Sequence, residues 1–218
     1  MSTYPRTPFT LKCGIALVDP LTLRPRRVIV LQYTPDHLSR TLQVQSVSGD
    51  TGDRTEPLRL KGPPVETFRL EAELDATDQL EFPKENPTAV EVGIFPQLAA
   101  LEALITPSSA QIDAADALMT RGAIEIAPME APLAMFVWSA QRIVPVRVTE
   151  FSVTEEAFDT SLNPTRARVT LALRALSVND FGIEHPGAGL YMSYLKNKEA
   201  LARRAVAGSL EQFGVKGL

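Results

Sequence analysis

The sequence predicts a mainly β fold of the α+β class, in which a helix is inserted between the early and late strands and a second helix closes the chain. Three observations carry this. Residues 142–174 alternate apolar and polar twice over, through Val144, Val146, Val148 and Phe151 and again through Ala167, Val169, Leu171 and Leu173, the period of strands with one buried face. Residues 92–105 change to helical spacing, with Leu98, Leu101, Leu104 and Ile105 recurring along one side. Residues 191–207 read as a terminal amphipathic helix after a glycine- and proline-rich stretch.

The elements follow in order. Leu11, Cys13, Ile15 and Leu17 alternate up to Asp19-Pro20 and predict a first strand. Residues 26–33 are rich in β-branched side chains, and Thr34-Pro35-Asp36 breaks them before alternation resumes over 38–45. Residues 46–57 are polar and contain glycine, as a loop does. The run 65–75 alternates strictly, with Phe68, Leu70, Ala72 and Leu74 on one side and an acidic outer face on the other. An acidic, proline-containing connector spans 78–87, and the helix over 92–105 has Pro96 in its first turn and Pro107 just beyond its end. An alanine-rich second helix is expected over 108–120, and a loop or short strand over 123–132. The continuous apolar run 132–138 predicts a strand covered on both faces. The long hairpin comes next, its two strands joined by a turn in which Asp159, Ser161, Asn163 and Pro164 supply the bend.

Composition narrows the function classes. With 218 residues the chain can bury a full core. A net charge of −4 supplies no basic excess to neutralise phosphates, which argues against a nucleic-acid partner. The single cysteine, Cys13, excludes an intramolecular disulfide and a thiolate metal cluster and suits a reducing compartment. No stretch is apolar for the ~18 residues a membrane span needs, and the N-terminus has no signal-peptide pattern, so neither direct membrane insertion nor export by a cleavable signal is expected.

Chemistry finds little to hold on to. His37 and His185 lie far apart and in no paired spacing, as solvent-facing or hydrogen-bonded loop histidines do. No GxSxG elbow exists, and Cys13 at an apolar strand position reads as a small core residue rather than half of a thiol dyad. The GDTGD run at 49–53 lacks the rest of a calcium loop, and HPGAG at 185–189 follows no βαβ unit. Glu66, Glu71, Glu73 and Asp75 read as a solvated strand face. No catalytic residue, cofactor-binding residue or metal ligand is assigned, no cofactor is expected, and the chain is not read as an enzyme. Trp138, the sole tryptophan, is a candidate core or interface anchor.

Four blocks nevertheless carry a resemblance. They are VLQYTPDHLS at 30–39, PLRLKGPPVETFRLEAELDATD at 57–78, APLAMFVWS at 131–139, and VRVTEFSVTEEAFDTSLNPTRARVTLALRAL at 146–176 with its F-D-x-x-x-x-P-x-R-A turn. Together they resemble the tube-type baseplate proteins of contractile injection systems, the phage-tail-like particles of the antifeeding-prophage and Photorhabdus-virulence-cassette type. The resemblance implies a phage tail-tube-like barrel or sandwich over residues 1–178, with 179–218 as linker and C-terminal helix. It implies a structural tube initiator or hub that joins the spike to the inner tube. The partners it implies are further copies of the chain in a hexameric ring, the spike or hub protein, the inner tube protein and other baseplate proteins. Assembly would be cytoplasmic, within a particle that is released or membrane-anchored. Two departures stand out: relatives often carry a LysM module that this sequence lacks, and residues 72–78 are less aromatic than the usual pattern.

The expected inter-subunit and tube-wall residues are Trp138, Val146, Val148, Phe151, Arg166, Arg168, Val169 and Leu171. Arg166 and Arg168 would meet acidic neighbours across an interface or face the lumen, with plain solvent exposure as the competing reading. A tube terminator or cap-end adaptor of the same particle is the alternative function. A hydrolase or carbohydrate-binding module is a further one, and it has no motif.

Overall fold

The computed structural model describes residues 11–20, 22–46, 59–120, 132–182 and 184–213. Among these residues seven antiparallel strands form one sheet: β1 (Gly14–Val18), β2 (Pro25–Val30), β3 (Leu38–Gln43), β4 (Val65–Asp75), β5 (Leu133–Ser139), β6 (Arg142–Phe158) and β7 (Pro164–Ala175). Their order across the sheet is β2-β1-β5-β6-β7-β4-β3. Four helices, α1 (Thr77–Leu80), α2 (Pro87–Val92), α3 (Phe95–Glu102) and α4 (Ser109–Thr120), are inserted between β4 and β5, and α5 (Pro186–Ala202) comes after β7. The fold is mainly β with inserted helices and a C-terminal helix. Residues 47–57 of the expected loop, with its GDTGD run, and most of 123–132 lie outside the described residues.

β4 starts and stops where its alternation does, and parity explains its burial: Phe68, Leu70, Ala72 and Leu74 are each at most 4% exposed while Arg69, Glu71 and Glu73 face outward. The same inward parity on β7 buries Ala167, Val169, Leu171 and Leu173. The sheet is strongly curled. β2 and β4 are five strand spacings apart in the ladder, about 24 Å if flat, yet their ends meet. The Gln32 amide nitrogen donates to the Asp75 carbonyl at 2.6 Å, and the Asp75 N–H donates to the Gln32 side-chain oxygen at 3.0 Å. One glutamine side chain thus stands in for a strand partner across the gap. Across the concave face the Phe68 ring of β4 sits 5.4 Å from the Phe136 ring of β5.

Helices cover what the curl leaves open. Ile94, Leu98, Leu101 and Leu104 join Ile29, Leu31 and Leu74 in the core. The helix expected over 92–105 is confined to α3, because Gly93 adopts φ +58 and separates it from α2, which precedes the expected start. The reason is a close approach: the Ile94 N–H donates to the Pro164 carbonyl at 2.9 Å, and a Cβ on Gly93 would overlap that carbonyl oxygen. The connector at 78–87 also holds more structure than expected, since α1 extends into it. α5 starts earlier than the 191–207 pattern suggested, at Pro186, because His185 caps it: the ring Nδ1 accepts from the Gly187 N–H at 3.0 Å.

Candidate inter-subunit surface

The long hairpin is built from one strand of 17 residues and one of 12. β5 pairs with β6 only from Arg142 to Val146, while β7 pairs along β6 from Val146 to Phe158. From Arg147 onward, β6 therefore has a ladder on one side and no strand partner among the described residues on the other. Such an edge is a template for another chain. β2 and β3 are the end strands of the sheet order, and β3 is a second edge next to the hairpin, with every residue after Leu38 exposed.

The hairpin does not hang free. Its tip is held by a turn in which the Asp159 carboxylate accepts from the N–H groups of Ser161 and Asn163, at 2.7 and 2.8 Å, and from the Asn163 amide at 2.8 Å. These bonds pull the Asp159 carboxyl below its ordinary range. Asn163 also donates to the Glu91 carbonyl at 3.1 Å, and the Ala76 N–H to the Thr165 carbonyl at 2.9 Å. The tip is thus anchored to α2 and to the end of β4.

The outward face of β4, β7 and β6 carries a charge ladder. Arg69 meets Glu150 at 2.7 Å, Arg168 lies between Glu71 at 3.0 Å and Glu156 at 3.4 Å, and Arg166 meets Asp75 at 2.7 Å with Glu73 at 4.0 Å. Cross-strand pairs of opposite charge fix register, and exposed ones each stabilise by about 0–1 kcal/mol.

The expected interface residues fall into three groups. Val146, Val169 and Leu171 are buried in the core of their own chain. Val148, Phe151 and Trp138 are partly buried and pack against it, Trp138 through a ring contact with Phe136 at 6.1 Å. Arg166 and Arg168 are half exposed, and their acidic partners belong to neighbouring strands of the same chain.

Two carboxylates expected on a solvated strand face are buried instead. Glu66 is 1% exposed and Asp75 8%. Glu66 has the inward parity of Phe68, so it points into the concave side. There it accepts from the Tyr194 hydroxyl at 3.0 Å and faces Lys198 at 3.3 Å and Arg40 at 3.5 Å. Burial, together with the adjacent carboxylate, pushes the Tyr194 phenol far up. Asp75 ends β4 between Thr77 and Arg166. Burial alone would raise its pKa, but hydrogen bonds from both neighbours and the arginine charge bring it below the ordinary value. Each group has satisfied partners, the pattern of structural ion pairs. Sequence spacing held no signal for the Glu66 cluster, because Arg40, Lys198 and Tyr194 come from distant elements.

The remaining chemical candidates are also placed. Cys13 is 2% exposed in the core, and burial raises its thiol pKa, which disfavours the thiolate. His185 is the α5 cap and stacks on Phe181 at 4.8 Å. His37 lines an open groove of about 720 Å³ between residues 33–39 and the outer face of β4. Among the described residues no cluster of His, Cys, Asp and Glu is gathered to hold a metal ion, and no helix is long and apolar enough to cross a membrane.

No protein-family model matches the chain, and no curated protein does. Among solved structures, the chain is similar to one in the tail of an empty gene transfer agent (GTA) particle computed with helical refinement in C6 symmetry, at 11% identity and a TM-score of 0.30, covering 75% of this chain and 90% of that one. It is also similar to a chain in the virion of a native gene transfer agent particle, at 13% identity and a TM-score of 0.27, with the same coverage.

Proposed function

We propose that this chain is a ring-forming structural subunit of a phage-tail-like contractile injection particle, a hub or tube initiator that connects the spike to the inner tube. The bare edge of β6 from Arg147 to Phe158 carries the reading. A strand of that length with one unpartnered side is a liability in a free monomer and an asset in a ring, where the next copy supplies the missing ladder. β3 is the complementary edge of the ribbon β6-β7-β4-β3, so joining β6 of one copy to β3 of the next is a head-to-tail contact that closes into a ring. In this reading the tube-like domain expected over 1–178 forms the wall and α5 packs against it, six copies make the ring, and the Arg–Glu ladder stiffens the wall. The chain works by shape and pairing, without turnover.

The test is assembly. Electron microscopy and native mass spectrometry of the purified chain, alone and with the spike protein as template, should show closed rings. Glu155→Pro removes an N–H that faces the unpaired side of β6, since Glu155 stands opposite Ala167, whose own backbone bonds to β4, and Thr154→Lys adds a charge beside that edge without removing an N–H; both should abolish rings while circular dichroism stays native. Rings that form unchanged in both variants overturn the edge-paired assembly. Tagged chain in purified particles should lie at the spike end; a label at the opposite end overturns the hub assignment.

A further inference from the structure

We infer that α4 of one copy docks on the arm formed by the end of α5 in a second copy of this chain, an inference that rests on the assembly reading above. α4 has 12 residues and none is buried. A helix of that length is marginal on its own in water and ordinarily depends on packing. Its apolar positions share one side: Ile112 and Ala115 are succeeded by Leu118 and Met119. Ile112, Leu118 and Met119 are 42, 49 and 55% exposed. Asp113 and Asp116 are its charged residues, with no lysine or arginine between Ser109 and Thr120, and among the described residues neither aspartate has a cation partner.

The second surface is the last part of α5 together with the residues beyond its end. After Tyr194 the helix has no buried residue, and every position from 199 to 209 is exposed. Arg203 and Arg204 stand there beside Leu201 and Val206, the latter 98% exposed, and neither arginine has an acidic partner among the described residues. An acidic amphipathic helix and a basic arm with apolar side chains are complementary in charge and in kind. They do not cover each other within one chain, since both are exposed in it. They also start from opposite ends of β4. α3, which leads into α4, lines a groove together with Leu74, whereas α5 is tied to Glu66, about 26 Å away along β4. A second copy is the occupant that satisfies both surfaces at once, and the contact is heterologous, so it repeats from copy to copy.

Sedimentation of the full chain at low and high salt tests this. Wild type should associate, and more weakly at high salt. Charge reversal on the helix, D113K with D116K, and on the arm, R203E with R204E, should each weaken self-association by about tenfold or more. Mixing the two reversed chains should restore it, because each then offers the other a complementary surface; a merely structural role for these residues would not give that rescue. A wild-type chain that stays monomeric, reversed variants that associate as wild type, or a mixture that fails to recover overturns the inference. Thr154→Lys separates the two assembly contacts. Association lost with Thr154→Lys but kept on charge reversal sinks the α4 contact alone, and the opposite pattern sinks the edge-paired ring alone.

Discussion

Tyr194 of α5 donates its hydroxyl to Glu66 of β4 across 3.0 Å, joining residues 128 apart in the chain. With Lys198 and Arg40 completing the shell, this cluster fastens the C-terminal helix over the concave face, where Tyr191 and Tyr194 belong to the core. A carboxylate that is 1% exposed depends on all of these partners together.

Removing one donor should therefore cost less than removing the carboxylate. Tyr194→Phe is expected to lower stability by about 1–2 kcal/mol. Glu66→Ala strands a buried phenol and two cations and is expected to cost about 3 kcal/mol. Urea unfolding monitored by Trp138 fluorescence reports both, since the chain has one tryptophan. Equal losses for the two variants would mean that the hydroxyl alone holds the helix.

Two glycines should respond oppositely to alanine. Gly93→Ala forces a Cβ onto φ +58 and against the Pro164 carbonyl, and is expected to destabilise by more than about 1 kcal/mol. Gly189 lies inside α5 with open space where a Cβ would sit, so Gly189→Ala is expected to stabilise by about 0.5–1 kcal/mol through helix propensity. Thermal melts of the two variants, read beside wild type, decide this, and a neutral Gly93→Ala would contradict the anchoring of the hairpin tip.

Asp75 gives a pH dependence of known sign. Its folded pKa lies below the ordinary aspartate value, so its ionised form is preferred in the folded state. The stability it contributes is present in full above the unfolded value near ~4 and is lost as pH falls through the lower folded value. Asp75→Asn should therefore be less stable than wild type at pH 7, and the gap should narrow as pH drops below ~4. Chemical denaturation at a series of pH values measures it; a gap that is constant down to pH 2 would show that charge plays no part.

Much of this fold is legible in the residues. β4 runs over the 65–75 that strict alternation marks out, and the hairpin strands occupy the two alternating runs. The step of three from Val148 to Phe151 in an otherwise period-2 pattern coincides with a bulge: Val148 faces Leu173 and Glu150 faces Ala172, leaving Thr149 unmatched, its hydroxyl donating to the Ala172 carbonyl at 3.1 Å. Helical spacing located α3, but the break at Gly93 was hidden, because the oxygen that demands a glycine there comes from Pro164, on the far side of the insertion.

The inward and outward parity of β4, β6 and β7 and the helical spacing of α3 are written in the chain itself, because they depend on neighbours a few residues away. Which inward positions are charged and satisfied, and which edges stay bare, is settled only when distant elements meet. Glu66 has the parity of a core residue and the chemistry of a surface one, and only the convergence of Tyr194, Lys198 and Arg40 makes its burial tolerable. The free edge of β6 is likewise a property of the sheet order: alternation dictates which face a side chain takes, while the strand that stands alongside is chosen by long-range packing.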